Sequence, residues 1–224
     1  IPMKIAMWSG PRNLSTAMMY SFANRADTSV VDEPFYASYL VKTGYGHPMR
    51  DEVIASQSVD SDAVIRTLMA PTSTPHHYQK HMTHHMDGVS LDWLADLKNV
   101  FLVRHPARVI ASYARKRENP NLHDLGFLQQ TAIYNHCQAS GQVPIVVDSD
   151  DILSDPPAMM RQLCAALQIP YQDAMVSWAA GPRDYDGVWA SHWYDAAHLS
   201  TGLTAMTRKL PNLESEFEDL LAQA

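Results

Sequence analysis

The stretch Trp8-Ser9-Gly10-Pro11-Arg12-Asn13-Leu14-Ser15-Thr16 constrains this chain more than any other. Met3 to Trp8 form a run of strand character, the small and polar residues Ser9 to Asn13 break it, and Ser15 opens a helical pattern that runs to Asn24. A strand feeding a helix through a short loop is the opening unit of a parallel α/β sheet. In such a turn the free backbone N–H groups of the loop and first helical turn converge on one spot, where the helix dipole also favours negative charge. The segment reads as a phosphate-binding loop. Taken alone, a plain turn with Ser15 or Thr16 as helix cap accounts for it equally well.

Nucleotide-hydrolysing enzymes use G-x-x-x-x-G-K-[ST], with Lys on the terminal phosphates and the hydroxyl on magnesium. Gly10 keeps its place here, but Ser15, Thr16 and Ala17 stand where Gly, Lys and the hydroxyl residue belong. The cation inside the loop is Arg12, a planar fork of donors suited to phosphate or sulfate oxygens. A second segment strengthens the phosphate reading. Val100 to Val103 is a continuous apolar run, typical of a strand buried on both faces, and it ends in Arg104-His105-Pro106. Pro106 suits the first turn of a helix with Val109, Ile110 and Tyr113 on its apolar face. Ser112 completes the pattern R-x-P-x-x-x-x-x-S, and Arg115-Lys116-Arg117 supply cations at the helix end, where they suit its dipole and where Arg115 or Lys116 could also assist a phosphate. Two anion sites then lie at the carboxyl edge of one sheet, where parallel sheets bind ligands.

With both motifs in view, the chain resembles the sulfotransferases that use 3′-phosphoadenosine 5′-phosphosulfate. In that family a strand-loop-helix K/R-S-G-T-T holds the 5′-phosphosulfate and R-x-P-x-x-x-x-x-S holds the 3′-phosphate. Arg12-Asn13-Leu14-Ser15-Thr16 matches the first, and Arg104 with Ser112 the second. The resemblance implies a three-layer α/β/α sandwich with a mainly parallel sheet, P-loop NTPase-like, binding 3′-phosphoadenosine 5′-phosphosulfate as co-substrate through Gly10 to Thr16, Arg104 and Ser112, with no metal required. Gly181-Pro182-Arg183, followed by Asp186-Gly187-Val188-Trp189, is similar to the family's C-terminal loop that closes over the nucleotide, so Arg183 is carried over with it.

The chain also departs from the family pattern. Leu14 replaces a Gly, so the loop is expected to be wider, without free access to positive φ. Transfer needs a cation for the leaving phosphate, a role Arg12 fits, and a base for the acceptor's proton. Many members use a Lys and a His sharing one strand face in K-T-H. Here Gln79-Lys80-His81 makes the pair adjacent, and adjacent strand residues point to opposite faces, so either the strand bulges or one of Lys80 and His81 enters the site. Glu33, at the end of the apolar run Val30-Val31, is an equal candidate for base, unless Asp32 or Glu33 merely caps a helix starting near Pro34.

His76, His77, His81, His84 and His85 invite a metal reading, since His81 with His84 or His85 would share a helical face. No Glu completes an H-E-x-x-H site and neither Cys137 nor Cys164 belongs to a C-x-x-C pair, so a solvated polar segment with one functional His is expected instead. At 224 residues the chain is expected to be a single domain, residues 1–224. Two separated cysteines fit a reducing compartment, and the absence of a long apolar run or leader pattern points to a cytoplasmic protein away from membranes. A net charge of −7 opposes nonspecific nucleic-acid binding. Helices are expected over Asp60 to Ala70, Leu91 to Leu97, Gly126 to Ser140 and Pro156 to Leu167, and strands at Tyr78 to His81 and Pro144 to Asp148, with Asp148 a cap or loop residue before the helix from Pro156. Trp189, Trp193, Tyr194 and His198 could frame an adenine ring or an acceptor, or pack as an ordinary loop. Leu213 to Gln223 reads as an amphipathic helix whose stripe docks on the domain or on a second subunit of a homodimer. The expected function is sulfuryl transfer to a small hydroxyl or amine acceptor. The rivals are a kinase-like ATP enzyme and a nucleotide-binding protein without transfer activity.

Overall fold

The computed structural model describes residues 2–115, 120–206 and 209–224, the side chain of Tyr113 apart; Lys116 and Arg117 lie outside the described residues. Strands β1 (Met3–Ser9), β2 (Thr28–Asp32), β3 (His76–Met82), β4 (Lys98–Val103) and β5 (Ile145–Asp148) form one sheet in the order β2-β3-β1-β4-β5. Every neighbouring pair is parallel. The helices are α1 (Ser15–Ala23), α2 (Tyr36–Thr43), α3 (Arg50–Ser56), α4 (Ser61–Met69), α5 (Pro106–Ala114), α6 (Leu122–Leu125), α7 (Phe127–Ala139), α8 (Ser149–Ser154), α9 (Pro156–Leu167), α10 (Ala190–Trp193), α11 (Asp195–Leu199) and α12 (Glu218–Gln223).

Alternation along the central strands creates the layers. Ile5, Met7, Tyr78, Val100 and Leu102 face one side, against Met19 and Phe22 of α1 and Leu163 and Leu167 of α9. Ala6, Trp8 and Phe101 face the other, against Val64 and Leu68 of α4 and Ile133 of α7. This is the expected three-layer α/β/α arrangement. The chain leaves β1 toward β2 and β3 on one flank, then crosses to β4 on the other, so the crevice of a doubly wound sheet opens between β1 and β4.

Local chemistry accounts for most boundaries. Asp155 accepts the Ala158 N–H at 3.1 Å ahead of Pro156-Pro157, starting α9, and Asp148 caps α8 through the Asp150 N–H at 2.7 Å. Other expectations need correction. Asp92–Asp96 is a 3₁₀ turn rather than an α-helix. Neither Asp32 nor Glu33 caps α2; Phe35 precedes it with no side-chain cap. The histidine-rich segment is not solvated: His76–Met82 is β3, inside the sheet, and His81, His84 and His85 are all buried. At the other end of the chain, Phe217, Leu220 and Leu221 pack with Val109 and Ile110 of α5, so the amphipathic stripe docks on its own fold. No described helix is long and apolar enough to cross a membrane.

Candidate active site

The loop after β1 is seated on the joint between α6 and α7. A Cβ on Gly10 would lie 2.1 Å from the Leu125 carbonyl oxygen, and one on Gly126 would lie 2.6 Å from Thr83 Oγ1 and 3.3 Å from the Gly10 Cα. Two backbones therefore meet where no side chain fits. Beyond this contact Arg12 and Leu14 both adopt positive φ, 63° and 69°, on either side of Asn13. Alternating φ curls successive N–H groups onto one concave side, an anion-binding nest. Leu14 thus takes up a left-handed conformation that is not freely accessible to it. That conformation costs an L-residue about 1–2 kcal/mol, offset here by packing of the Leu14 side chain on the core beneath the loop.

Three residues from distant segments meet at this nest. Arg12 Nε donates to Ser112 Oγ on α5 at 3.1 Å, and Arg104 Nη1, just past β4, donates to the Arg12 carbonyl at 2.7 Å. Burial lowers the proton affinity of Arg12, and Arg115 adds to that; burial does the same to Arg104, with Arg108, Arg12 and Arg115 outnumbering Asp150 around it. Guanidinium groups stay charged regardless. Arg104 Nε is buried with no hydrogen-bond partner. Gathered cations with a donor unspent suit a polyanionic group such as a nucleotide phosphate.

A second charged cluster lies farther along the same sheet edge, at β2 and β3. Lys80, 1% exposed, donates to Asp32 Oδ1 at 2.9 Å, to Glu33 Oε1 at 2.8 Å and to the Tyr194 hydroxyl. Two successive residues would normally point to opposite faces. Both carboxylates reach one ammonium because Glu33 takes φ 39°, turning the chain at the end of β2. Burial, reinforced by Asp32 and opposed by Lys80, raises the Glu33 carboxyl above its ordinary range. Burial alone would lower Lys80, but Asp32 and Glu33 outweigh it and hold the ammonium above its ordinary value.

One cavity of about 400 Å³ spans both clusters, lined by the loop from Pro11 to Ala17, Arg104 and Ser112 at one end and by Glu33, Lys80 and Tyr194 at the other. Tyr36, Trp189 and Trp193 give it aromatic walls, and residues between Ala196 and Met206 complete its lining.

A sulfotransferase domain model matches residues 3–224. The chain belongs to the sulfotransferase domain family. Among curated proteins it is similar to branched-chain-amino-acid aminotransferase-like proteins 1 and 2 of Arabidopsis thaliana, 37% identical over 225 residues and 35% over 221. These alignments take in 100% and 98% of this chain but 40% and 39% of the relatives, so the chain spans about two fifths of their length. Among solved structures, the sulfotransferase domain from the curacin biosynthetic pathway superimposes with a TM-score of 0.55 at 18% identity, covering 100% of this chain and 97% of that one. The sulfotransferase domain from the Synechococcus PCC 7002 olefin synthase gives 0.55 at 17%, covering 99% and 94%. At these identities the likeness is one of fold.

Within this sulfotransferase-family fold, the anticipated residues divide clearly. The cavity brings together Pro11 to Thr16, Arg104, Ser112, Glu33 and Lys80, while Gly10 shapes the loop from behind. Two residues are not brought there. β3 carries no bulge, pairing with β1 in continuous register from Met3↔His76 to Ser9↔Met82, so Lys80 enters the cavity and His81 faces the opposite layer. His81 stacks on Trp8, its partner across the sheet, at 4.4 Å and 17°, bonds Gln79 Oε1 at 3.1 Å, and is pushed by burial down to about 3. Arg183 is drawn over the Tyr20 ring, 5.3 Å from its centre, and does not close over the cavity. Conversely, Asp32 and Tyr36 join the site unanticipated. The helical offset from Glu33 to Tyr36 was the available signal for Tyr36, and the run of carboxylates at 32 and 33 for Asp32. His84 and His85 line the cavity too, and His85, stacked on Tyr36 at 4.7 Å, is held well below its ordinary value by burial and neighbouring imidazoles. Among the described residues, no group of three or more His, Cys, Asp or Glu side chains is arranged to hold a metal ion.

Proposed function

We propose that residues 1–224 act as one domain that transfers a sulfuryl group from 3′-phosphoadenosine 5′-phosphosulfate to a hydroxyl or amine of a small acceptor. The observation that carries this reading is the order of groups along the sheet edge: Glu33 after β2, Lys80 on β3, the N–H nest with Arg12 after β1, and Arg104 after β4. With strands about 4.8 Å apart, β2 and β4 stand roughly 14 Å from each other, room for an acceptor, a phosphosulfate and a second phosphate in sequence. Arg104, with its unspent Nε and Ser112 nearby, suits the 3′-phosphate. Arg12 and the loop N–H groups suit the 5′-phosphosulfate and the charge that grows on its bridging oxygen.

Sulfuryl transfer forms a bond from sulfur to the acceptor oxygen or nitrogen as the bond from sulfur to the bridging oxygen breaks, leaving adenosine 3′,5′-bisphosphate. Glu33, whose burial strengthens its basicity, takes the acceptor's proton. His81, buried on the far face, is set aside as base.

The test is calorimetric binding of adenosine 3′,5′-bisphosphate against 5′-AMP and Mg-ATP, for wild type and Arg104→Ala. The bisphosphate should bind best, and Arg104→Ala should weaken it about 10- to 100-fold, as loss of charge-assisted hydrogen bonds does, leaving 5′-AMP nearly unaffected. Equal or tighter Mg-ATP binding would refute the donor and favour a kinase-like enzyme. Tight bisphosphate binding without turnover on any acceptor would leave a nucleotide-binding protein.

A further inference from the structure

The Tyr194 hydroxyl uses every hydrogen bond available to it. An ammonium has three donors, and those of Lys80 go to Asp32, Glu33 and the Tyr194 oxygen. That oxygen accepts a second bond from Trp189 Nε1 at 3.1 Å, which fills its acceptor capacity. Its single hydrogen faces Asp32, whose two oxygens lie at 2.9 and 2.7 Å, while Glu33 Oε1 is farther away at 3.4 Å. Asp32 Oδ2 also accepts the Gly187 N–H at 3.0 Å. Of two carboxylates beside one ammonium, Asp32 therefore accepts from Lys80, Tyr194 and Gly187, and Glu33 from Lys80.

Resting on the reading of Glu33 as base, we propose that Tyr194 is a positioning residue: it holds Lys80 between the two carboxylates and, by donating to Asp32, leaves Glu33 to take the acceptor's proton. The groups facing Glu33 support this from each side, Asp32 on β2, Lys80 on β3 with His85 beside it, and Tyr194 between α10 and α11. Burial and the two carboxylates keep the phenol protonated, so it remains a donor. Tyr194 also lies two residues before Ala196, which lines the cavity with Ala197, so its hydroxyl anchors the chain where this part of the lining begins.

Tyr194→Phe keeps the ring and removes the oxygen. With one donor fewer, the Glu33 carboxyl, whose Oε1 lies 3.4 Å from the Tyr194 hydroxyl, holds its proton more tightly, and the acidic limb of kcat/KM against pH moves upward. A shift of about one pH unit means a tenfold loss of activity below the limb, with bisphosphate affinity retained. A parallel measurement needs no turnover: carboxyl ¹³C NMR titration of Glu33 should show a higher midpoint in Tyr194→Phe, and a smaller rise in Trp189→Phe, which removes the donor to the Tyr194 oxygen and covers the case in which Tyr194→Phe folds poorly. An unmoved Glu33 midpoint in the folded variants overturns the proposal, as does a Tyr194→Phe defect confined to bisphosphate binding. If the wild type neither binds the bisphosphate nor turns over, while Tyr194→Phe still raises the Glu33 midpoint, the sulfuryl-transfer reading falls and the Tyr194–Glu33 coupling stands.

Discussion

Lys80→Met is the most exacting test of the charge cluster. The substitution keeps most of the side-chain volume, so a cavity contributes little, but it strips the ammonium from two carboxylates that bond it at 2.9 and 2.8 Å, with Asp32 and Lys80 almost wholly buried. Removing one partner of a buried ion pair typically costs about 3–5 kcal/mol, because the other charge is left uncompensated. For a chain of this size 1 kcal/mol shifts Tm by about 2–4 °C, so a fall of roughly 6–20 °C is expected. The sign of the pH dependence follows from linkage. Without Lys80, which opposes the effect of burial, the Glu33 carboxyl binds its proton more tightly still in the folded chain than in the unfolded one. The folded state then holds more protons as pH rises above the unfolded carboxylate range, and stability falls with rising pH. The deficit should be larger at pH 8 than at pH 5. Urea unfolding followed by tryptophan fluorescence at pH 5, 6.5 and 8, with the slope against denaturant unchanged, measures it. A loss under about 1 kcal/mol at pH 8 would be that of an exposed pair and would refute the argument, and so would a loss independent of pH.

The remaining predictions separate chemistry from packing. Glu33→Gln should lower turnover about 10²- to 10⁴-fold, the usual worth of a general base, with bisphosphate affinity preserved in calorimetry; retained turnover would remove Glu33 from the mechanism. His81→Ala should do the reverse, costing about 2–4 kcal/mol of stability in urea as a core truncation without moving the pH–rate midpoint, since its ring sits against Trp8 and titrates near 3. Gly10→Ala forces a methyl to 2.1 Å from the Leu125 carbonyl oxygen. Overpacking of that kind costs about 1–3 kcal/mol and should lift the loop from its seat, so both stability and bisphosphate affinity fall; an unchanged affinity would show that the seating does not govern the nest.

How much of this was readable beforehand depended on sequence distance. The loop from Gly10 to Thr16 and the Arg104–Ser112 pattern are contiguous segments, each with its strand and helix attached, so local signals were enough to bring them to one edge. Glu33 was legible for the same reason, at the end of an apolar run. The period-2 rule established that Lys80 and His81 must part company, but not which would face the cavity. That depends on where Trp8 lies across the sheet, a matter of register. That Leu14 lacks the free access of Gly to positive φ was plain from the residue itself, whereas the packing beneath the loop that supports left-handed geometry there was not. The placement of Arg183 was hidden for a related reason: its motif is short, and the Tyr20 ring it lies over is far away in sequence. Tyr194 was visible as one aromatic among several, with nothing in its neighbourhood to indicate that its hydroxyl meets Asp32.

The Tyr194–Asp32 bond spans 162 residues, whereas Lys80 lies 48 residues from Asp32. At the roughly 5–20 residues per second of protein synthesis, a nascent chain carries Asp32 for about 8–30 s before Tyr194 is made. All five strands and the phosphate loop precede residue 149 and can assemble in that interval. The buried ammonium and its carboxylates, by contrast, wait for the Trp189–Tyr194 segment to complete their hydrogen bonds. Chains halted short of Trp189 therefore hold a finished phosphate loop beside a half-satisfied charged edge. Such truncated products should populate a loosened β2–β3 flank open to proteases and to aggregation.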